Sequence, residues 1–76
     1  MVTADKELDT KGLNCPLPIL KTKKELASMS AGQTIHVIAT DPGSVGDFEA
    51  FCQQTGHLLI ESTVVDDSFH FHIEKR

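Results

Sequence analysis

Gly12-Leu13-Asn14-Cys15-Pro16-Leu17-Pro18 is the stretch that decides the fold, because it places a cysteine directly before a helical pattern. Proline is tolerated in the first turn of a helix, where the N–H group that it lacks would have no partner. We therefore predict that Pro16 and Pro18 are first-turn residues and that Cys15 is the N-cap. The glycine and asparagine before the cysteine are typical of a turn that presents the sulfur to solvent.

The free amides at this helix start bear on the chemistry of the thiol. The prolines remove two of the four first-turn donors and leave those of Leu17 and Ile19. Because the positive end of a helix favours a negative group, we expect the pKa of the Cys15 thiol to lie below that of a free cysteine. The thiolate is the nucleophilic form, so Cys15 is the candidate reactive residue and the rest of the stretch supports it.

Length, cysteine count and charge exclude several classes of protein. A chain of 76 residues is expected to form one domain over residues 1–76, and it lacks the apolar run of ~20 residues that a membrane span requires. Two cysteines are too few for a disulfide framework, and the first residues lack a secretory signal, so we expect a cytoplasmic protein with free thiols. The net charge of −4 argues against a general nucleic-acid-binding protein.

Four lysines lie on or near the helix that is predicted to follow Cys15. Scattered lysines are normal on a solvated helix face, and that interpretation stays open. The alternative is a local positive patch that steers an anionic partner towards the cysteine. The four residues are Lys11, Lys21, Lys23 and Lys24.

The hydrophobic pattern predicts the element order β-α-β-α-β-β. The first helix carries an apolar stripe, and the stem of Lys23 is expected to pack within it. The stripe consists of Ile19, Leu20, Leu26 and Ala27. The fold class is an α+β two-layer α/β sandwich, in which two helices cover one face of a four-stranded mixed sheet. The predicted strands span residues 6–10, 34–40, 57–65 and 69–74, and the helices span 16–30 and, with Ser44 as N-cap, 44–56.

The histidines and the second cysteine receive structural interpretations. His70 and His72 share the outer face of the last strand, but two ligands fall short of the three or four of a metal site, so no metal or cofactor is expected. His36 lies among apolar residues and is given no role. Cys52 lies on the apolar face of the second helix, where a buried cysteine is the natural interpretation. The alternative for Cys52 is a resolving thiol for Cys15.

With this element order in place, the cysteine-proline stretch resembles the TusA family of small sulfur carrier proteins, also described as SirA-like. The resemblance extends from about Leu8 to Lys75. It depends most on the glycine, the cysteine and the two prolines of the stretch. Further matches are Asp41-Pro42, Asp47-Phe48, Phe51-Cys52 and Gly56-His57.

The resemblance implies persulfide transfer. Cys15 matches the sulfur-carrying cysteine of the family, which takes the terminal sulfur of a persulfide held on a cysteine desulfurase or a rhodanese-like sulfurtransferase. The sulfur then passes to an acceptor that serves tRNA 2-thiouridine formation, cofactor assembly or sulfur oxidation. Such a protein carries sulfur without catalytic turnover of its own. The alternative is a thiol redox or regulatory module in which Cys15 and Cys52 form a reversible disulfide.

Overall fold

Within the part of the chain that the structure describes, six elements of secondary structure follow one another in the order that the sequence predicts. The structure is a computed structural model, and it describes residues 4–76. The elements are β1 (Lys6–Thr10), α1 (Leu17–Ala27), β2 (Thr34–Ala39), α2 (Ser44–Thr55), β3 (Leu58–Val65) and β4 (Ser68–Glu74). Among the residues described, no helix is long and apolar enough to cross a membrane.

The four strands form one mixed sheet in the order β1-β2-β4-β3. β1 and β2 are parallel, as expected for two strands joined through a helix. β4 is antiparallel to both β2 and β3, so the last strand of the chain lies inside the sheet. β1 and β3 form its edges, and the pairing of β3 is irregular between Leu59 and Glu61.

The core lies between the two helices and one face of the sheet. Ile35 and Val37 of β2 are fully buried on that face, as are Phe71 and Ile73 of β4. Phe48 of α2 is also fully buried, and its ring stacks on that of Phe71 with the centroids 4.4 Å apart. This arrangement confirms the predicted two-layer sandwich.

α1 buries a different set of side chains from the predicted stripe. Leu20 is 53% exposed, and both Ala27 and Lys23 are exposed. Half of the predicted stripe and the stem of Lys23 therefore do not pack in the core as predicted. A threonine takes part instead, because the Thr22 hydroxyl donates a hydrogen bond to the Pro18 carbonyl at 2.8 Å and is thereby satisfied inside the core. The buried residues of α1 are Pro18, Thr22 and Leu26. The helix also ends at Ala27, three residues before the predicted end.

α2 follows the prediction except at its first residue. Gly43 is the N-cap, and Ser44 lies inside the helix, only 2% exposed. Gly56 ends the helix in the left-handed conformation (φ 83°), and its N–H donates to the Cys52 carbonyl. Cys52 is 6% exposed, so its predicted burial is confirmed.

Candidate functional site

Cys15 lies in the loop between β1 and α1, and its side chain is exposed. The loop leaves the sheet at Thr10, which is fully buried and donates its hydroxyl to the Ile38 carbonyl at 2.5 Å. Gly12 adopts a positive φ of 82°, a conformation that favours glycine, and its N–H donates to the Thr40 hydroxyl at 2.9 Å. These bonds attach the loop to the carboxyl end of β2.

Pro16, rather than Cys15, is the N-cap of α1, and Pro18 is the second residue of the helix. The Cys15–Pro16 peptide bond is cis. The Leu17 N–H donates to the Asn14 carbonyl at 2.9 Å, so one of the two amides expected near the thiol is used within the loop. The prediction of Cys15 as N-cap is therefore wrong by one residue.

A carboxylate from the turn after β2 holds the backbone of the cysteine. The Cys15 N–H donates to Asp41 Oδ2 at 2.7 Å, and the Gly43 N–H donates to Asp41 Oδ1 at 3.1 Å. These two hydrogen bonds hold the pKa of Asp41 below its usual value, because they stabilise the carboxylate. Asp41 thus joins the cysteine loop to the N-terminus of α2.

Asp47, in the first turn of α2, acts on the thiol itself. A hydrogen bond to Asp47 raises the pKa of the Cys15 thiol, and partial desolvation and the negative charges of Asp47 and Asp41 raise it further. The thiol can donate to a carboxylate, whereas the thiolate is repelled by it. The expectation of a lowered pKa is therefore wrong, because the carboxylates of Asp47 and Asp41 favour the protonated thiol.

The cysteine-proline stretch identifies Cys15 as the reactive residue, but it does not place either aspartate beside the thiol. One signal for Asp41 was available, since it follows a predicted strand that is parallel to the strand before Cys15. The carboxyl ends of neighbouring parallel strands meet at the same edge of a sheet, where side chains from different loops converge. The position of Asp47 depends on the packing of α2, for which the sequence carries no comparable signal.

The solvent-facing side of α1, the helix after Cys15, combines apolar and basic side chains. Leu17 is 45% exposed and Leu20 is 53% exposed. Lys11 lies outside the helix, and its Nζ is 3.8 Å from an Asp9 carboxylate oxygen, which offsets part of its charge. The exposed lysines of the helix are Lys21, Lys23 and Lys24. Lys11 therefore lies outside the helix that carries the other three members of the predicted patch.

The second cysteine has a different environment from the first. Both cysteines are free, but Cys52 packs in the hydrophobic core, and burial raises the pKa of its thiol. It also borders a small cavity of about 270 Å³, together with Glu49 and His57. A buried, protonated thiol reacts slowly, so no feature of its surroundings favours the redox alternative.

Known proteins resemble the chain over nearly its whole length. A family model described as Sulfurtransferase TusA matches residues 6–75. The chain belongs to the TusA family. A sulfur carrier protein TusA from Allochromatium vinosum is 61% identical over 75 residues, which cover 99% of each chain. A putative sulfur carrier protein of Neisseria meningitidis serogroup A is 51% identical over 69 residues, which cover 91% of this chain and 93% of that relative.

A solved structure shares the architecture of this TusA-family chain. The SirA-like protein from Desulfitobacterium hafniense superimposes with a TM-score of 0.82 and covers 91% of this chain and 95% of its own. Its sequence identity is 24%, so this likeness concerns the fold alone. The resemblance inferred from the cysteine-proline stretch and the predicted fold class are both confirmed.

Proposed function

We propose that the protein carries sulfur as a persulfide on Cys15 between a donor protein and an acceptor protein. The observation that supports this most is the exposed thiol on a loop held by the hydrogen bond to Asp41. Relatives that match nearly the whole chain are named sulfur carrier proteins. The proposed donor is a cysteine desulfurase or a rhodanese-like sulfurtransferase, and the proposed acceptor serves tRNA thiolation, cofactor assembly or sulfur oxidation.

The transfer is an exchange between sulfur atoms with no net oxidation. The Sγ of Cys15, as a thiolate, attacks the terminal sulfur of the donor persulfide. A new S–S bond forms at Sγ, the S–S bond of the donor breaks, and the donor sulfur leaves as a thiolate with the electron pair. The proton lost by Cys15 balances the one that the donor thiolate gains. The same exchange, run from the carrier to an acceptor thiol, delivers the sulfur.

The two carboxylates make this exchange depend on the partner. In the free protein Asp47 and Asp41 favour the protonated thiol, because they raise the pKa of Cys15. A partner that places a cationic group against them offsets their charge and lowers that pKa. The thiolate therefore forms mainly in the complex, which limits side reactions of the exposed sulfur in the free carrier.

The solvent-facing side of α1 is the surface that we propose for docking. Leu17 and Leu20 supply exposed apolar area next to the thiol loop, and an acidic rim on the partner would meet the lysines of the helix. Replacing Lys21 and Lys24 together by glutamate is expected to slow loading by a donor protein, most strongly at low salt, because exposed charges act mainly on the association rate.

The loading of sulfur on the intact protein tests the proposal. The reduced protein is incubated with a rhodanese and thiosulfate, or with a cysteine desulfurase and cysteine, and its mass is measured. We expect the gain of one sulfur atom, removed again by dithiothreitol, and no further turnover without an acceptor. Cys15→Ser should gain none, whereas the control Cys52→Ala should load normally because Cys52 is buried. Loading of Cys15→Ser at the level of the unsubstituted protein would overturn the proposal.

A further inference from the structure

Three histidines meet on the face of the sheet that the helices leave uncovered. His36 in β2 lies opposite His72 in β4, and His70 lies two residues before His72 on the same face. Glu7 in β1 is the neighbour of His36, and Glu61 in β3 is the neighbour of His72. A row of side chains with metal-binding chemistry therefore crosses all four strands.

Two of the rings are already close enough to share an ion. His36 Nε2 lies 2.9 Å from His70 Nδ1, and the ring planes are inclined by 19°. Glu7 Oε1 lies 4.0 Å from the other ring nitrogen of His36. Two nitrogen ligands at about 2.0–2.1 Å from a tetrahedral ion are roughly 3.3 Å apart, so the pair needs to open by only a few tenths of an ångström.

His72 supplies an independent observation. It lies on the predicted outer face of the last strand, yet it is only 8% exposed, and its Nε2 is buried without a hydrogen-bond partner. A buried polar atom without a partner is uncommon and requires an explanation. His72 lines an open depression of about 370 Å³ together with the other two histidines and the two glutamates.

We propose that this depression binds a divalent transition metal ion of the zinc class through His36, His70 and His72. As they stand, no three side chains of the metal-binding types are arranged to hold an ion within the part of the chain that the structure describes. Binding therefore turns the ring of His72 towards the other two and replaces the hydrogen bond between them. Neutral imidazole is a ligand that zinc accepts readily, and Glu7 or Glu61 can complete four-coordination and offset the charge of the ion.

Zinc titration of the Cys15→Ser variant tests the site, since that background lacks the exposed thiol that would itself bind zinc. Isothermal titration calorimetry with Zn²⁺ at pH 7.5 is expected to show one ion per chain. Co²⁺ in its place should give the visible absorption of a four-coordinate nitrogen and oxygen site.

Single histidine substitutions identify the ligands. His36→Asn and His70→Asn are each expected to weaken zinc binding at least ~10-fold, while His57→Asn, which changes the histidine outside the cluster, leaves it unchanged. Neither His36 nor His70 is fully buried, so both variants should fold, which far-UV circular dichroism checks. No saturable binding, half an ion per chain, or equal weakening by His57→Asn would overturn the site. If a variant fails to fold, the Co²⁺ spectrum of the Cys15→Ser protein decides whether the site exists: the visible absorption of a four-coordinate site supports it, and its absence overturns it.

Discussion

Replacing Phe48 with alanine tests whether the stacked aromatic pair in the core holds α2 and the thiol site together. Phe48 is fully buried, and its ring lies 4.4 Å from that of Phe71, inclined by 21°. The residue before it, Asp47, is the carboxylate that acts on the thiol of Cys15. The ring therefore packs in the same part of α2 that carries this carboxylate.

The expected loss is large relative to the total stability. Truncation of a buried phenylalanine to alanine costs about 3–5 kcal/mol, since it leaves a cavity as well as removing buried apolar area. A domain of 76 residues has a free energy of unfolding of about 4–11 kcal/mol. Phe48→Ala should therefore remove about a quarter or more of the stability. The milder pair Phe48→Leu and Phe71→Leu, in a double-mutant cycle, should show a coupling of about 0.5–1.5 kcal/mol from the ring contact.

Urea denaturation followed by circular dichroism measures both quantities, and the control is Val64→Ala. Val64 is 63% exposed, so its truncation should change the free energy of unfolding by less than about 0.5 kcal/mol. A loss of unfolding free energy below about 1 kcal/mol for Phe48→Ala, with an unchanged urea dependence, would refute the reasoning. Truncation of a fully buried aromatic ring costs more than that.

Three further predictions concern charge and backbone conformation. Asp47→Asn should lower the pKa of Cys15 towards its ordinary value, so the pH profile of Cys15 alkylation by iodoacetamide should move to lower pH. An unchanged profile would show that Asp47 does not act on the thiol. Burial and the positive charges of Lys75 and Arg76 lower the pKa of His57 below its ordinary 6.5. The stability that neutral His57 contributes is therefore present above pH 6.5 and is lost as the pH falls through the lowered pKa of the folded state. The urea midpoint should therefore drop as the pH falls below 6.5, and it should drop less in the His57→Gln variant than in the unsubstituted protein. Gly56→Ala should cost about 1–2 kcal/mol in the same assay, because the glycine has φ 83° and an added Cβ would lie 2.8 Å from the Arg76 side chain, whereas an unchanged midpoint would contradict this.

Local patterns of the chain predicted most of the fold. The first strand was predicted with its observed bounds, Lys6–Thr10, and Gly56 was predicted to end the second helix, because glycine there avoids the cost of a positive φ. The apolar stripe of α1 was half wrong. Helical spacing alone does not show which side of a short helix faces the sheet, because a threonine can also be buried. The Thr22 hydroxyl is buried in the core because it donates a hydrogen bond to the Pro18 carbonyl of the same helix.

The sequence by itself determined the order of the elements, the burial of Cys52 and the exposure of Cys15, because each depends on neighbours within a few residues. Only the tertiary structure decided the direction in which the pKa of the thiol shifts, since Asp47 and Asp41, which raise it, lie far from Cys15 along the chain. Asp41 is 26 residues from Cys15 and reaches its backbone N–H through the parallel pairing of β1 and β2. The contact of His36 with His70, 34 residues apart, likewise exists only because β2 and β4 pair. Electrostatic and coordination chemistry act through space, and a sequence records only distance along the chain.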